Sequence, residues 1–99
     1  GHYVSFHPSG QINWTCNHEN DKKNGEYFSY HENGEIEYKL NFIDDLEDGH
    51  VLKYHENGQL AEESDYVYGK MEGNYKIFHE NGQIRTKWIY KNHKIKDGI

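Results

Sequence analysis

One cysteine, Cys16, stands in the whole sequence, so an internal disulfide is excluded and no thiolate cluster is available for a metal. Chains without disulfides occur in every compartment, which leaves localisation open. Long apolar runs are missing too. None approaches the roughly 20 residues that a membrane-spanning helix needs, and no signal peptide is visible. This segment is expected to make no membrane contact of its own. Apolar residues are scarce overall: 33% are hydrophobic and mean hydropathy is −1.18, values that lean toward disorder. Positive charge is short as well, 11 Lys and Arg against 17 Asp and Glu, for a net charge of −6. That balance disfavours electrostatic binding to nucleic acid or anionic lipid and suits a basic protein partner. Eight histidines qualify it, since protonating them in mildly acidic conditions would carry the charge past zero. Nor does any stretch sustain helical periodicity, so essentially no helix is expected.

What the sequence does hold is aromatic and periodic. Aromatic residues make up 15%, nine of them Tyr, whereas disordered chains are poor in aromatics. A thin fold whose sheet faces carry tyrosines, apolar in body and polar at the tip, reconciles the two. His31-Glu32-Asn33-Gly34 recurs as His55-Glu56-Asn57-Gly58 and His79-Glu80-Asn81-Gly82, with a looser copy at His7-Pro8-Ser9-Gly10. Gly10, Gly34, Gly58 and Gly82 are each 24 apart, and so are Gly1, Gly25, Gly49 and Gly73. The repeats are therefore 1–24, 25–48, 49–72 and 73–97, with a fifth starting at 98–99 after one inserted residue. Beginning on a repeat glycine and stopping just inside another unit, the chain reads as a fragment of a longer protein. Its missing flanks would decide between a cytoplasmic and an envelope-associated location.

Asn-Gly between alternating polar and apolar residues is a strong hairpin signal, because both central positions of a type I′ turn need φ > 0. Gly10, Asn33, Gly34, Asn57, Gly58, Asn81 and Gly82 are accordingly the expected turn residues. Tyr27-Phe28-Ser29-Tyr30-His31 before the turn and Glu35-Ile36-Glu37-Tyr38-Lys39-Leu40-Asn41-Phe42 after it alternate as strands do. A polar connection, Asp44 to Gly49, then leads to the next unit. The fold expected is all-β: a single-layer twisted meander of four stacked hairpins, with open edges at both ends able to pair with a second copy. A two-residue turn would set His31 opposite Ile36, Ser29 opposite Tyr38 and Tyr27 opposite Leu40. One face would gather Tyr3, Tyr27, Val51 and Tyr75, then Ile12, Ile36, Leu60 and Ile84, then His18, Phe42, Tyr66 and Tyr90. The other would carry Phe6, Tyr30, Tyr54 and Phe78 among charged residues such as Glu37, Lys39, Glu63, Arg85 and Lys87.

No constellation here reads as catalytic or metal-binding. His7, His31, His55 and His79 form a column, but equivalent residues of neighbouring hairpins lie roughly 10 Å apart, too far to share one zinc. Packing on Ile36, Leu60 and Ile84 is the expectation for these rings. Glu32, Glu56 and Glu80 flank solvated turns, and Asp44, Asp45, Glu47 and Asp48 lack the EF-hand spacing. Cys16 has no general base arranged for it. Neither a cofactor nor an enzyme activity is expected. The partner-binding surface is instead assigned to Tyr27, Tyr38, Phe42, Tyr66, Tyr75 and Tyr90. Envelope glycans are an alternative occupant of aromatic columns.

Tyr54-His55-Glu56-Asn57-Gly58-Gln59-Leu60, followed by Tyr68-Gly69-Lys70-Met71-Glu72-Gly73, resembles the bacterial variant of the MORN repeat. That variant is typified by a Y-x-x-N-G-x-[LI] core and a Y-x-x-G-K-x-x-G connection. The resemblance covers the whole chain, although Asp45-Leu46 and His93-Lys94 replace Gly-Lys in two connections, whose loops are expected to differ in shape. It implies an elongated hairpin array serving as a protein-interaction scaffold, in bacteria often as an antitoxin or immunity component. It also implies a third possibility, the regulatory region of a larger protein. Some phosphatidylinositol phosphate kinases carry such repeats, but the sequence shows no phosphate loop or Mg-binding motif in context.

Overall fold

The computed structural model describes residues 1–91 and the backbone of 94–98. Asn92, His93 and Ile99, on which part of the last connection and of the fifth unit falls, lie outside the described residues. The strands are β1 (His2–Phe6), β2 (Ile12–Glu19), β3 (Lys22–Tyr30), β4 (Ile36–Ile43), β5 (Leu46–Glu47), β6 (Gly49–Tyr54), β7 (Leu60–Val67), β8 (Lys70–Phe78), β9 (Ile84–Lys91) and β10 (Lys94–Gly98). All pair antiparallel in one sheet of order β1-β2-β3-β4-β6-β7-β8-β9-β10. The two-residue β5 also pairs with β4, and together β5 and β6 match the nine-residue β3 and β8, interrupted at Asp48. The Cα envelope measures 41 × 34 × 14 Å. Nine strands side by side at the usual spacing span about 38 Å, so the sheet is laid out open and not closed into a barrel. The all-β meander is what forms.

Two kinds of corner alternate along it, and the sequence reading exchanged them. At His31–Gly34 the Gly34 N–H donates to the His31 carbonyl (2.9 Å) and the His31 N–H to the Glu35 carbonyl (2.8 Å). Only Gly34 has positive φ, +89°. This is a three-residue loop, a type I turn closed by a left-handed glycine, and not the expected type I′ turn. The same bonds recur at His7, His55 and His79. Positive φ at both central residues occurs at the other corners: Asn20-Asp21, Asp44-Asp45 and Tyr68-Gly69. The connection expected to be six residues long is therefore a two-residue type I′ turn. Its shape is shared by Asp44-Asp45 and Tyr68-Gly69 although only the latter has the glycine.

A three-residue loop shifts pairing by one residue, and a bulge shifts it back. Tyr30 pairs with Ile36 and Ser29 with Tyr38, leaving Glu37 unpaired. Asn13, Ala61 and Arg85 are the equivalent extra residues. The expected Ser29–Tyr38 and Tyr27–Leu40 partners survive, but His31–Ile36 does not. Cross-strand partners share a face, so Ile12, Ile36, Leu60 and Ile84 join Phe6, Tyr30, Tyr54 and Phe78. That is the opposite face from the one expected. Glu37 moves the other way, its Oε1 accepting from Ser29 Oγ at 3.2 Å. Among the described residues, the side chains nearly closed to solvent (Cys16, Ser29, Phe42, Ala61 and Ser64) belong to the face of Tyr27 and Tyr38, here termed inner.

Hairpins are stitched to one another at both edges of the sheet. His7, His31 and His55 each use Nε2 to donate to a carbonyl of the next hairpin, that of Tyr30 (2.9 Å), Tyr54 (2.8 Å) and Phe78 (3.0 Å). A carbonyl can only accept, which fixes these tautomers. The rings do not simply pack on the isoleucine column. Asn33 accepts from the Glu35 N–H (2.9 Å) and donates to the Glu56 carbonyl (2.8 Å); Asn57 repeats both bonds with Gln59 and Glu80. At the opposite edge the Asn24 and Asp48 side chains accept from Asp44 N–H (3.0 Å) and Tyr68 N–H (3.0 Å).

Asn57→Asp keeps the acceptor but removes the donor and sets a carboxylate against the Glu80 carbonyl. It is expected to lower stability in urea by about 1–3 kcal/mol, and an unchanged midpoint would contradict the stitch. Tyr68 holds a bulky side chain at φ +45°. Tyr68→Asn, which installs Asn-Gly in a true type I′ corner, is expected to raise stability by about 0.5–1 kcal/mol in the same assay.

Candidate functional site

On the inner face glycines stand opposite rings. Gly25 pairs with Phe42, Gly49 with Tyr66 and Gly73 with Tyr90. A Cβ at Gly25 would meet the Asn17 side chain, one at Gly73 the Asp65 side chain and one at Gly49 nothing within 4 Å, so the glycines serve the backbone conformation and not the space of the rings. Gly25, Gly49 and Gly73 have φ of +100°, +90° and +84°, so a side chain at these positions would be strained. The rings meet diagonally: Tyr27 and Phe42 edge-on with centroids 5.7 Å apart, Tyr75 and Tyr90 tilted at 6.2 Å. Trp14 stacks on Tyr27 at 6.1 Å and Trp88 meets Tyr75 edge-on at 5.4 Å. Such pairs add about 0.5–1.5 kcal/mol each beyond burial, a substantial share of cohesion in a sheet with so few enclosed side chains.

Tyr27, Tyr38, Phe42, Tyr66 and Tyr75, five of the six residues assigned to partner binding, line one hollow of about 450 Å³ on this face. Tyr90 adjoins it through the Tyr75 ring. The hollow also contains residues that were not assigned to partner binding, chiefly Lys23, Glu47, Glu62 and Met71. Lys23, Glu47 and Met71 are 24 apart, so the period that revealed the aromatic columns also marked this one. Lys23 Nζ lies 4.9 Å from the Phe42 centroid and Lys53 Nζ 5.4 Å from that of Tyr38. A second hollow of about 640 Å³ is lined by His31, Lys53, His55, Glu62, Ile77 and Arg85 among others. Arg85, expected among the charges of the outer face, is the bulged residue of its hairpin and so takes the position of Glu37 and Ala61, which lie on the inner face.

The histidine column offers no shared metal geometry, because Nε2 of His7, His31 and His55 is already spent on carbonyls. Among the described residues no group of three or more His, Cys, Asp and Glu is placed to hold a metal ion. Cys16 is fully enclosed, and burial pushes its thiol above the ordinary value. A raised pKa leaves it protonated and a poor nucleophile.

Three tyrosines of the hollow are harder to ionise than usual. Burial is the first cause for each. It is reinforced by Cys16 and Glu37 at Tyr27, by Glu47 and Glu62 at Tyr66, and by Glu62 at Tyr75. Tyr75 Oη donates to Glu62 Oε2 at 3.4 Å, which holds the phenol in its neutral form. A phenol whose pKa is raised by folding stabilises fully below its unfolded value of about 10, and the contribution is lost as pH rises through the folded value. Stability is therefore expected to be flat with respect to these groups up to about pH 10 and to fall above it. Absorbance titration of the phenolates checks this, and Glu62→Gln is expected to lower the midpoint of Tyr75.

With the hairpins, their corners and the inner face in place, the comparison with known proteins is direct. The family model described as MORN repeat variant matches residues 23–44, 47–68 and 71–92. Each window starts just inside the strand that leaves a type I′ corner and spans one hairpin, and the first two end in the next corner. No curated protein and no solved structure matches the chain. The first hairpin, where Ser9 stands in place of the stitching asparagine, falls outside the matched windows. Three consecutive hairpins covering about two thirds of its length establish that the chain belongs to the MORN repeat variant family, a repeat module of the kind that serves binding.

Proposed function

We propose that this array is a protein-interaction scaffold whose inner face covers a basic protein partner, acting as the antitoxin or immunity half of a bacterial pair. The observation that carries the reading is the gathering of Tyr27, Tyr38, Phe42, Tyr66 and Tyr75 in one half-buried hollow. Tyrosine is enriched at interface centres because it brings large apolar area and a polar tip at little conformational cost. The net charge of −6 supports a basic partner, whose approach it would accelerate. Family membership supports a binding role without naming the partner. The hairpin stitches support it in another way: they hold the rings in fixed positions before any partner arrives, which lowers the ordering cost of association.

Co-expression with the product of the neighbouring gene, followed by affinity measurement, tests the proposal. Tyr66→Ala and Tyr75→Ala are each expected to weaken the complex at least 30-fold, about 2 kcal/mol, as interface hot spots do. Lys39→Ala and Glu63→Ala on the outer face are expected to leave it within about threefold. The antitoxin role further requires that the wild type restore growth to cells expressing that product and that Tyr66→Ala fail to. Outer-face variants that break the complex while inner-face variants spare it would overturn the reading.

A further inference from the structure

The repeat is not faithful at one place inside the hollow, and the departure has a chemical sense. In the hairpin of β3 and β4, Lys23 stands over the Phe42 ring. One period on, Phe42 becomes Tyr66 and Lys23 becomes Glu47, both lining the same hollow. The ammonium that covers the first ring is replaced at the second by a carboxylate. Glu62 stands on the same wall, bonded to Tyr75 Oη. Among the described residues, neither Glu47 nor Glu62 makes an ion pair within 4.0 Å of a lysine or arginine. Lys53, the cross-strand partner of Glu62, feels its charge but stands over the Tyr38 ring and makes no ion pair with it within 4.0 Å.

We propose that the hollow over Tyr66 and Tyr75 binds a cationic side chain, lysine or arginine, presented by a protein partner, with Glu47 and Glu62 as its counter-ions. The proposal rests on the scaffold reading above and specifies its chemistry. A ring face attracts a cation through its quadrupole, and two carboxylates at the rim of a half-buried hollow add charge-assisted hydrogen bonds. Lys23 over Phe42 shows the same arrangement satisfied from within the chain. The raised pKa of Tyr66, to which Glu47 and Glu62 contribute after burial, fits a site with surplus negative charge. A bound cation would offset that surplus.

The test is titration of the whole chain with a nona-arginine peptide, following tyrosine ring signals by NMR, with nona-glutamate as control. Tyr66 and Tyr75 are expected to shift with nona-arginine and not with nona-glutamate. Glu47→Gln is expected to weaken binding about tenfold. Glu47→Lys, which restores the residue found one period earlier, is expected to fill the hollow from within and abolish the shifts. Absorbance titration provides a second readout: saturation with nona-arginine should lower the Tyr66 midpoint in the wild type and not in Glu47→Lys. Shifts confined to other residues, or shifts that persist unchanged in Glu47→Lys, would overturn the proposal. Failure here is separable from failure of the scaffold reading. A partner that binds Glu47→Lys as well as wild type, yet is lost with Tyr75→Ala, removes this site and keeps the scaffold.

Discussion

A side chain of one hairpin donating to a backbone carbonyl of the next is the interaction on which this structure depends. A two-stranded hairpin alone buries too little to hold its shape in water, and here few side chains are closed to solvent. The histidine and asparagine of the His31–Gly34 and His55–Gly58 corners therefore do two jobs. They close their own loop, and they fasten it to the next corner along the edge. Aspartate could accept within the loop as asparagine does, but it has no N–H with which to reach across. The repeated polar residues are thus part of the mechanical frame. That explains why a column of histidines, so suggestive of a metal when seen only as spacing, has its ring nitrogens committed to the backbone.

Much of the fold was legible because a 24-residue period and period-2 alternation leave few alternatives for an all-β chain. What could not be read was the type of corner. Asn33-Gly34 carries the usual type I′ signal, yet here asparagine is retained for its amide, and glycine alone adopts positive φ. Asp44-Asp45 and Asn20-Asp21 take the type I′ positions instead, as short polar side chains tolerate. The error of one residue in the loop was then concealed by the bulge at Glu37, which restores the pairing of Ser29 with Tyr38. Alternation cannot reveal an offset that the chain itself corrects within three residues.

The inner face shows the same limit. Tyr27, Tyr38, Phe42, Tyr66 and Tyr75 were recognisable as columns, because rings repeated every 24 residues are conspicuous. That Phe42, Tyr66 and Tyr90 stand opposite Gly25, Gly49 and Gly73 was not, although both series were visible separately. It takes the register to set the two series against each other, and the left-handed backbone of these glycines to show why no other residue stands there. Lys23, Glu47 and Met71 went unrecognised as one column for a different reason: their identities differ, and a search for likeness overlooks a position whose content changes.

The bulged residue of each hairpin has one more consequence. Asn13, Glu37, Ala61 and Arg85 are the residues left over when the ladder closes, and they share no common chemistry: an amide, a carboxylate, a methyl and a guanidinium. The neighbouring positions must satisfy a cross-strand partner, whereas this one owes nothing to the pairing. The array works in this respect like a printer's frame, clamped at its margins, with one piece of type in every line freed from the ladder and held only by what surrounds it, as the enclosed Ala61 is.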